Sequence, residues 1–484
     1  MRISFQPIFY VIGIVLIALG VLMIAPAILD AFNGSSSWEA FAESCSITLF
    51  FGFLFVFANR PGSKMELTLR ETFLLTTSGW IALTLFASLP FLLTHLTSNS
   101  TDSFFETVSC LTTTGATVIT GLDFAPKGLL LWRALLEWFG GIGIIVVAMT
   151  ILPVLSIGGM QLFRSEFSGQ SEKIKPRFSQ ITKAMFWTYA GFTALCAFLL
   201  WLSGMDFFDA ICHSMSALAT GGLSNYDTSI AHFNSPEIEI IITIFMLLGA
   251  MTILMLYRFI SGEFKIFWQD DQIRTLLLIT IFVVVGMTLW RWIFMDVDFL
   301  TALRYDLFNY VSAITTTGFT STDYQTWGIF PMTIFLAFMF IGGCTGSTAG
   351  GLKIMRLRVA YQLTKTQLYK LYRPHVVRVP TYNEQEITPS LYISVVTFLT
   401  LFFLTYGILV SLLSLTGLDF LTCVSGAGSA LCNFGPGFGP LIGPSGNYSI
   451  LPTSAKWIMM AAMILGRLEL ITVIVIFRPS FWKK

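Results

Sequence analysis

The chain has 484 residues, of which 55% are hydrophobic and 11% are charged, with a mean hydropathy of +0.76 and a formal net charge of +1. Because soluble domains carry about 25% charged residues, this composition excludes a soluble globular protein and indicates an integral protein of a lipid bilayer. The near-neutral charge identifies no partner by itself, and we expect no nucleic-acid partner.

A helix must contain about 20 mainly apolar residues to cross the hydrocarbon core of a bilayer. Apolar runs of about this length predict ten membrane spans, at residues 8–30, 42–58, 72–95, 128–155, 184–204, 236–258, 275–296, 328–350, 389–415 and 455–477. The first run follows Arg2, as in a signal peptide, but it is longer than the apolar part of a typical signal peptide. We therefore interpret it as a retained helix.

Four further apolar segments are too short to cross the bilayer, at 102–113, 208–219, 304–315 and 420–432. Each precedes a glycine-rich loop, and non-helical backbone at membrane depth is tolerated only where protein buries it or where it lines a water-filled cavity. The sequence therefore predicts an all-α membrane fold of four pseudo-repeats around one pore, each with a span, a short re-entrant helix, a loop and a second span. We place the N-terminal helix pair at 1–70 and repeats one to four at 71–163, 164–262, 263–376 and 377–484.

The four loops share a pattern of glycine with threonine or asparagine, at residues 112–117, 219–224, 315–320 and 432–437. We align one glycine of each loop, called here the loop glycine, and number it position 0: Gly115, Gly222, Gly318 and Gly435. With these glycines aligned, a serine lies at position −6 in every repeat: Ser109, Ser216, Ser312 and Ser429. Internal repetition of this kind is the strongest organisational signal in the sequence.

The loops have the composition of a cation filter. A potassium or sodium ion must lose water in a narrow pore, and backbone carbonyls and threonine hydroxyls can replace that water. Glycine permits the positive φ angles that direct successive carbonyls to one axis, and a short helix that ends at the loop presents its negative dipole end to the ion. The predicted ion site comprises the three residues that end at each loop glycine: Thr113, Thr114, Gly115, Thr220, Gly221, Gly222, Thr316, Thr317, Gly318, Asn433, Phe434 and Gly435.

The distribution of Lys and Arg predicts the orientation. Basic residues concentrate in the connections at 60–70, 164–183, 258–274 and 353–378, and in the tail at 478–484. By the positive-inside rule these segments are cytoplasmic. Both termini are then expected in the cytoplasm, and all four loops on the outer side.

Beyond these patterns, the residues resemble the Trk/Ktr/HKT superfamily of potassium transporters, and within it the bacterial TrkH and TrkG subunits. The resemblance extends over nearly the whole chain. The motifs that carry it are 111–117, 138–143, Leu152-Pro153 with 158–162, 342–348 and 466–469.

The resemblance implies a homodimer in the bacterial inner membrane, in which each protomer has its own potassium pore. It also implies a cytoplasmic TrkA-like nucleotide-binding ring that gates the pore, with no covalently bound cofactor and K⁺ as the transported ion. In this superfamily a serine at the first loop glycine accompanies sodium permeation, so Gly115 implies potassium. The fourth loop of similar chains commonly reads Asn-x-Gly-Pro-Gly, which residues 433–437 keep.

Residues 342–351 are small throughout and half of them are glycine. Gly342, Gly346 and Gly350 are spaced by four, as in a close helix-packing face. Ten weak helix formers in succession favour instead a break in the span. In the resembling family this segment is an intramembrane gating loop, and we hypothesise that its second half obstructs the pore: Gly346, Ser347, Thr348, Ala349, Gly350 and Gly351.

Arg467 lies inside the last predicted span, where a charge costs about 2.5–3.5 kcal/mol on insertion scales. One interpretation is a pore-facing electrostatic barrier below the filter. The other is an internal ion pair with Glu469, Glu137 or Glu106. The sequence leaves both open.

Two other classes of protein are less consistent with the sequence. A secondary transporter with inverted repeats would have repeats of opposite topology, whereas these four share one topology. A membrane-embedded enzyme would need clustered catalytic carboxylates, histidines or cysteines within the spans, and none is visible. The prediction is therefore a channel-like potassium uptake protein and not an enzyme. A sodium-permeable protein, or a symporter coupled to H⁺ or Na⁺, remains the alternative within the same fold.

Overall fold

The computed structural model describes residues 3–60, 67–150, 174–375, 379–383 and 385–483. Apart from one two-residue hairpin, Thr381–Tyr382 with Gln385–Glu386, the regular structure in these ranges is helical. The longer helices are Gln6–Leu22, Ile24–Phe32, Ser37–Ala58, Leu69–Ala87, Lys127–Thr150, Ile174–Leu202, Pro236–Ala250, Ile253–Ile260, Asp271–Phe294, Ile329–Phe338, Ile354–Tyr372, Pro389–Ser414 and Thr453–Arg467.

Six helices within the described ranges are long and apolar enough to cross a membrane: Gln6–Phe32, Ser37–Ala58, Leu69–Leu93, Thr182–Leu202, Asp271–Phe294 and Pro389–Ser414. Two further spans are bent pairs, by 108° between Pro236–Ala250 and Ile253–Ile260 and by 110° between Thr453–Arg467 and Leu470–Phe477. The prediction of continuous spans at 236–258 and 455–477 was therefore wrong. The second bend occurs at Glu469, whose φ of +61° interrupts the helix.

The predicted span 328–350 is also interrupted. Its helix ends at Phe338, and the next helix begins at Ile354. Between them the backbone takes positive φ at Gly342, Gly346 and Gly351. The break that the run of small residues favours is thus present. The helix Lys127–Thr150, 24 residues long, occupies most of the predicted span 128–155.

The four predicted re-entrant segments form short helices, Ser100–Leu111, Phe207–Ala219, Phe299–Ile314 and Phe420–Cys432. Each begins at an Asn or Asp whose side chain accepts a backbone N–H of the first turn: Asn99, Asp206, Asp298 and Asp419. Such N-caps typically stabilise a helix by about 1 kcal/mol. They fix where each short helix starts, and hence how far its other end reaches into the protein.

Each short helix contributes buried residues to the apolar clusters of the core. Buried residues of Phe420–Cys432, for example, pack against Phe398, Phe402 and the second helix of repeat four. Large apolar side chains of the long helices, such as Phe50, Phe282 and Leu404, remain exposed and form the surface expected to face lipid. The fold is a helical membrane protein with four similar units, as predicted.

Several sequence predictions lie outside the described residues. They are the motifs Leu152-Pro153 and 158–162, the end of the predicted span 128–155, and the basic residues Arg2, Lys64, Arg164, Lys173, Arg378 and Lys484.

Candidate functional site: a ring of four glycine loops

Each loop begins as a Schellman cap at the end of its short helix. The N–H at position −1 donates to the carbonyl of the position −6 serine at 2.8 to 3.0 Å in all four repeats. The N–H at position −2 donates to the carbonyl at position −5 at 3.0 to 3.4 Å. This pair of bonds defines the Schellman motif. The recurring serine therefore serves the loop through its backbone carbonyl.

The cap forces position −2 into the left-handed conformation. The φ angles are +49° at Thr113, +51° at Thr220, +54° at Thr316 and +55° at Asn433. Asparagine tolerates this region, but a β-branched threonine is an outlier there, at about 1–3 kcal/mol of strain. The loop glycines also have positive φ, between +82° and +101°, whereas position −1 does not. This alternation turns successive carbonyls to one side of the chain, as a ring of ion-coordinating carbonyls requires.

The four loops close a ring. A Cβ atom added to any loop glycine would overlap the position −1 carbonyl oxygen of the next repeat. The contacts are Gly115 with Gly221, Gly222 with Thr317, Gly318 with Phe434, and Gly435 with Thr114. The last contact joins repeat four to repeat one, so the repeats follow one another around a single axis in chain order. Glycine is thus required at position 0 both by φ and by space.

Most carbonyls of this ring accept no hydrogen bond from the described residues. At positions −2, −1 and 0 the single exception is Gly435, whose oxygen accepts from Ser429 Oγ at 2.8 Å and from Tyr448 Oη at 2.6 Å. Gly115, Gly222 and Gly318 keep intermediate exposure, while their neighbours at −1 and −2 are buried. Buried backbone carbonyls are nearly always paired. A ring of unpaired ones therefore has the character of a binding site for water or a cation.

The threonine hydroxyls of the loops do not all point to the ring. Thr114 and Thr317 pair through Oγ1 with the residue two positions earlier, Thr112 and Thr315, at 2.7 Å. In repeat four Asn433, at position −2, donates from Nδ2 to Thr114 Oγ1 at 3.0 Å. These side chains bond to one another and link the loops, so the exposed oxygens of the ring belong mainly to the backbone.

A buried salt bridge supports the first loop, and the sequence analysis did not identify it. Glu106 and Arg133 are 0% and 2% exposed and lie 2.8 Å apart. Glu106 also accepts the Val118 N–H at 2.9 Å and the Thr117 hydroxyl at 3.0 Å. Arg133 reaches the Ser224 carbonyl of repeat two at 2.9 Å. The pair therefore holds the residues that follow the first loop and links them to the residues that follow the second loop.

Repeats two and three place a polar residue at the same position, −9, for the same purpose. In repeat two His213 Nε2 bonds Ser224 Oγ at 2.9 Å, and in repeat three Asn309 Oδ1 accepts the Ser321 N–H at 3.2 Å. Repeat four has a glycine at −9, and Ser425 Oγ accepts the Phe438 N–H instead, at 2.8 Å. A polar residue nine positions before the loop glycine in repeats one to three was the available sequence signal.

The interrupted segment of repeat three lies against the ends of the short helices. Thr348 Oγ1 donates to the Leu218 carbonyl of repeat two at 2.9 Å. The Gly350 N–H donates to Thr316 Oγ1 at 2.7 Å, and the Gly351 N–H donates to the Cys432 carbonyl of repeat four at 3.0 Å. The segment therefore lies directly beneath the ring, on the side where the short helices end. Ser347 and Ala349 are buried within it.

Arg467 holds this segment in place. It is 3% exposed, and it donates to the Thr348 carbonyl at 2.7 Å and to the Gly140 carbonyl of repeat one at 3.1 Å. Among the described residues it makes no salt bridge, because Glu469 pairs with Arg356 at 2.7 Å and Glu106 pairs with Arg133. The ion-pair interpretation of Arg467 was therefore wrong. Its partners are backbone carbonyls, which no sequence pattern reveals.

Comparison with known proteins identifies the family. A family model named TrkH and described as a cation transport protein matches residues 38–484. The chain belongs to the TrkH family. Its family is one of transporters and not of enzymes.

Among relatives of this TrkH-family chain, the Trk system potassium uptake protein TrkI of Halomonas elongata is 40% identical over 481 residues, covering 99% of this chain and 97% of the relative. The Trk system potassium uptake protein TrkH of Escherichia coli is 35% identical over 486 residues, covering 99% and 100%. The crystal structure of the potassium transporter TrkH from Vibrio parahaemolyticus matches with a TM-score of 0.91 at 34% identity, over 99% of this chain and 100% of that chain. The predicted family is confirmed.

Proposed function

We propose that this protein takes up potassium through the ring of four loops, which acts as its selectivity filter. The observation that carries the proposal is the closed ring of backbone carbonyls at positions −2 to 0, which, apart from that of Gly435, accept no hydrogen bond from the described residues. Such carbonyls can replace the hydration shell of K⁺ as it passes. The ends of four short helices converge on the same place and add the negative ends of their dipoles. The relatives named as potassium uptake proteins agree with this choice of ion.

The filter residues are those of the predicted ion site, with Gly115 favouring potassium. A side chain at Gly115 would overlap the Gly221 carbonyl, so any larger residue there must displace a ring oxygen. A sodium-permeable pore, or a symporter coupled to H⁺ or Na⁺, is the alternative in the same fold.

We further propose that residues 346–351 form a gate below the filter, closed here by Thr348, Gly350 and Arg467. On the family resemblance, a cytoplasmic TrkA-like nucleotide-binding ring opens it. The protein then works as a homodimer in the bacterial inner membrane, with both termini in the cytoplasm and K⁺ as transported substrate. The repeat boundaries given from the sequence are part of the same proposal.

Rubidium-86 uptake into proteoliposomes containing the purified protein tests the function, with potassium and sodium as competitors. We expect potassium to block uptake and sodium to spare it. Equal block by both ions would contradict a potassium filter and favour the alternative. Variants that shorten residues 346–351 should raise flux in the absence of any partner, and unchanged flux in them would contradict the gate.

A further inference from the structure

One buried carboxylate lies directly behind the loop of repeat two. Glu137 belongs to the second helix of repeat one, Lys127–Thr150, and is 0% exposed. Its Oε1 accepts the Leu223 N–H at 3.2 Å. A Cβ atom on Gly221 would overlap the Glu137 carboxyl group. The carboxylate therefore occupies the place that a side chain at position −1 of this loop would fill.

Two exceptions to the repeat pattern meet at this contact. Position −1 carries a side chain in the other three loops, at Thr114, Thr317 and Phe434, and only in repeat two is it glycine. The second helices of repeats one, two and four each place a glycine against the position −4 carbonyl of their own short helix: Gly140, Gly249 and Gly466. The residue three positions before this glycine is Glu137 in repeat one, Met246 in repeat two and Met463 in repeat four. In repeat three, Met339 lies three positions before Gly342. The single glutamate thus faces the single glycine.

The hydrogen bond from Leu223 connects the carboxylate to the ring. In a trans peptide the N–H and the carbonyl point in opposite directions. The N–H of Leu223 points to Glu137, so the Gly222 carbonyl in the same peptide unit points away from it. Gly222 is the loop glycine, and its carbonyl accepts no hydrogen bond from the described residues. A negative charge on the N–H side polarises that peptide and strengthens the carbonyl as a ligand for a cation.

No basic residue in the described part of the chain forms a salt bridge with Glu137. Its Oε2 makes no well-aligned hydrogen bond with the described residues, and neither does the Ser216 hydroxyl beside it. The titratable groups that face it are Arg133, Glu106, Cys110, Tyr189 and Arg467. Within the described part of the chain, none of them forms a salt bridge with it. An unpaired ionisable group at membrane depth is costly to keep, and a methionine suffices at the corresponding positions of the other repeats.

We propose that Glu137 sets the cation affinity of the filter. In its ionised form the carboxylate strengthens the Gly222 carbonyl and attracts the ion across a few ångströms of low-dielectric protein. A neutral side chain in its place supplies neither effect, so the ring then binds K⁺ more weakly. The inference rests on the proposed potassium filter and adds to it an affinity-determining carboxylate specific to repeat two.

The test is potassium-competed rubidium-86 uptake by the full-length protein in proteoliposomes, measured as KM and maximal rate. The variants are Glu137→Gln, which keeps the shape and the bond from Leu223 without the charge, and Glu137→Asp, which keeps the charge. Glu237→Gln, an exposed acid in the first turn of Pro236–Ala250, is the matched control. Gel filtration and thermal unfolding establish that each variant is assembled.

For Glu137→Gln we expect the KM to rise about tenfold, equivalent to about 1.4 kcal/mol, with the maximal rate much less affected. Glu137→Asp should remain closer to the wild type than Glu137→Gln. A purely steric role predicts the reverse order.

A wild-type KM in Glu137→Gln would overturn the inference while leaving the potassium filter intact. If the wild type takes up rubidium without preference for potassium over sodium, the proposed function itself fails, and the role of Glu137 fails with it. The two failures are therefore distinguished within one experiment.

Discussion

The ring geometry makes one substitution especially informative, Gly222→Ala. Gly222 has a φ of +82°, and its added Cβ would overlap the carbonyl group of Thr317. The left-handed conformation costs an L-residue about 1–2 kcal/mol. Overpacking of a well-packed site costs typically about 1–3 kcal/mol more. The total, roughly 2–5 kcal/mol, is smaller than the stability of a typical fold.

The protein should therefore still fold, and the strain should be relieved locally by movement of the Thr317 carbonyl away from the axis. Because about 1.4 kcal/mol corresponds to a factor of ten in affinity, we expect rubidium-86 uptake at low ion concentration to fall by at least about tenfold. Uptake into proteoliposomes and the thermal unfolding temperature of the detergent-solubilised protein are the two measurements.

The matched control is Gly286→Ala in the middle of Asp271–Phe294. Gly286 has no positive φ, and a Cβ there would contact nothing within 4 Å. Alanine in a helix interior is favoured over glycine by about 1 kcal/mol, so this variant should be at least as stable as the wild type, with unchanged uptake. Wild-type affinity and rate in Gly222→Ala would refute the reasoning that the loop glycines pack against the carbonyls of the next repeat.

Three further variants test the supports of the ring. Arg467→Ala removes the donors to the Thr348 and Gly140 carbonyls, so rubidium-86 flux without a partner should rise, with Arg467→Lys intermediate. Thr316→Val keeps the branched shape but removes the acceptor of the Gly350 N–H, and partner-free flux should again rise. Glu106→Gln leaves the Arg133 charge buried without its counter-ion, which should cost about 3–5 kcal/mol and lower the unfolding temperature. Its control, Glu263→Gln, breaks a pair that is 34% and 47% exposed, and should change the unfolding temperature little.

Each of these three has a clear contrary result. Lower flux with normal assembly in Arg467→Ala would assign that arginine to the integrity of the ring and not to its closure. Unchanged flux in Thr316→Val would remove the link between the third loop and the gate. An unfolding temperature of Glu106→Gln equal to that of its control would show that the buried pair does not hold the first loop.

The sequence was sufficient for the repeated unit, because the loop glycine answers a local backbone demand and the serine at −6 recurs at a fixed distance from it. The loop needs positive φ at the glycine, and the Schellman cap ends at a fixed distance from it. The N-caps Asn99, Asp206, Asp298 and Asp419 follow an equally local rule, an Asn or Asp directly before each short helix, but they were not predicted. Local requirements of this kind place the same residue types at the same positions of each repeat, so the sequence reveals them.

The partners across the ring were not predictable in the same way. An ion pair was one of the two interpretations of Arg467 left open by the sequence, but its partners are the carbonyls of Thr348 and Gly140, and every residue has a carbonyl. The bends at 236–258 and 455–477 were not predicted, because an apolar run indicates the length of a membrane segment but not whether its helix changes direction. Glu469 was a visible signal, since a charge in the middle of a span rarely continues a straight apolar helix.

The central claim is that four backbone loops form one ion site on a shared axis. Its most direct test is a structure determined in rubidium, with the ion located by anomalous scattering. We expect density on the axis of the ring, bounded by the carbonyls of Thr114, Gly221, Thr317 and Phe434, and its loss when sodium replaces rubidium. An ion found away from this axis, or an empty ring in a rubidium concentration that saturates uptake, would contradict the account.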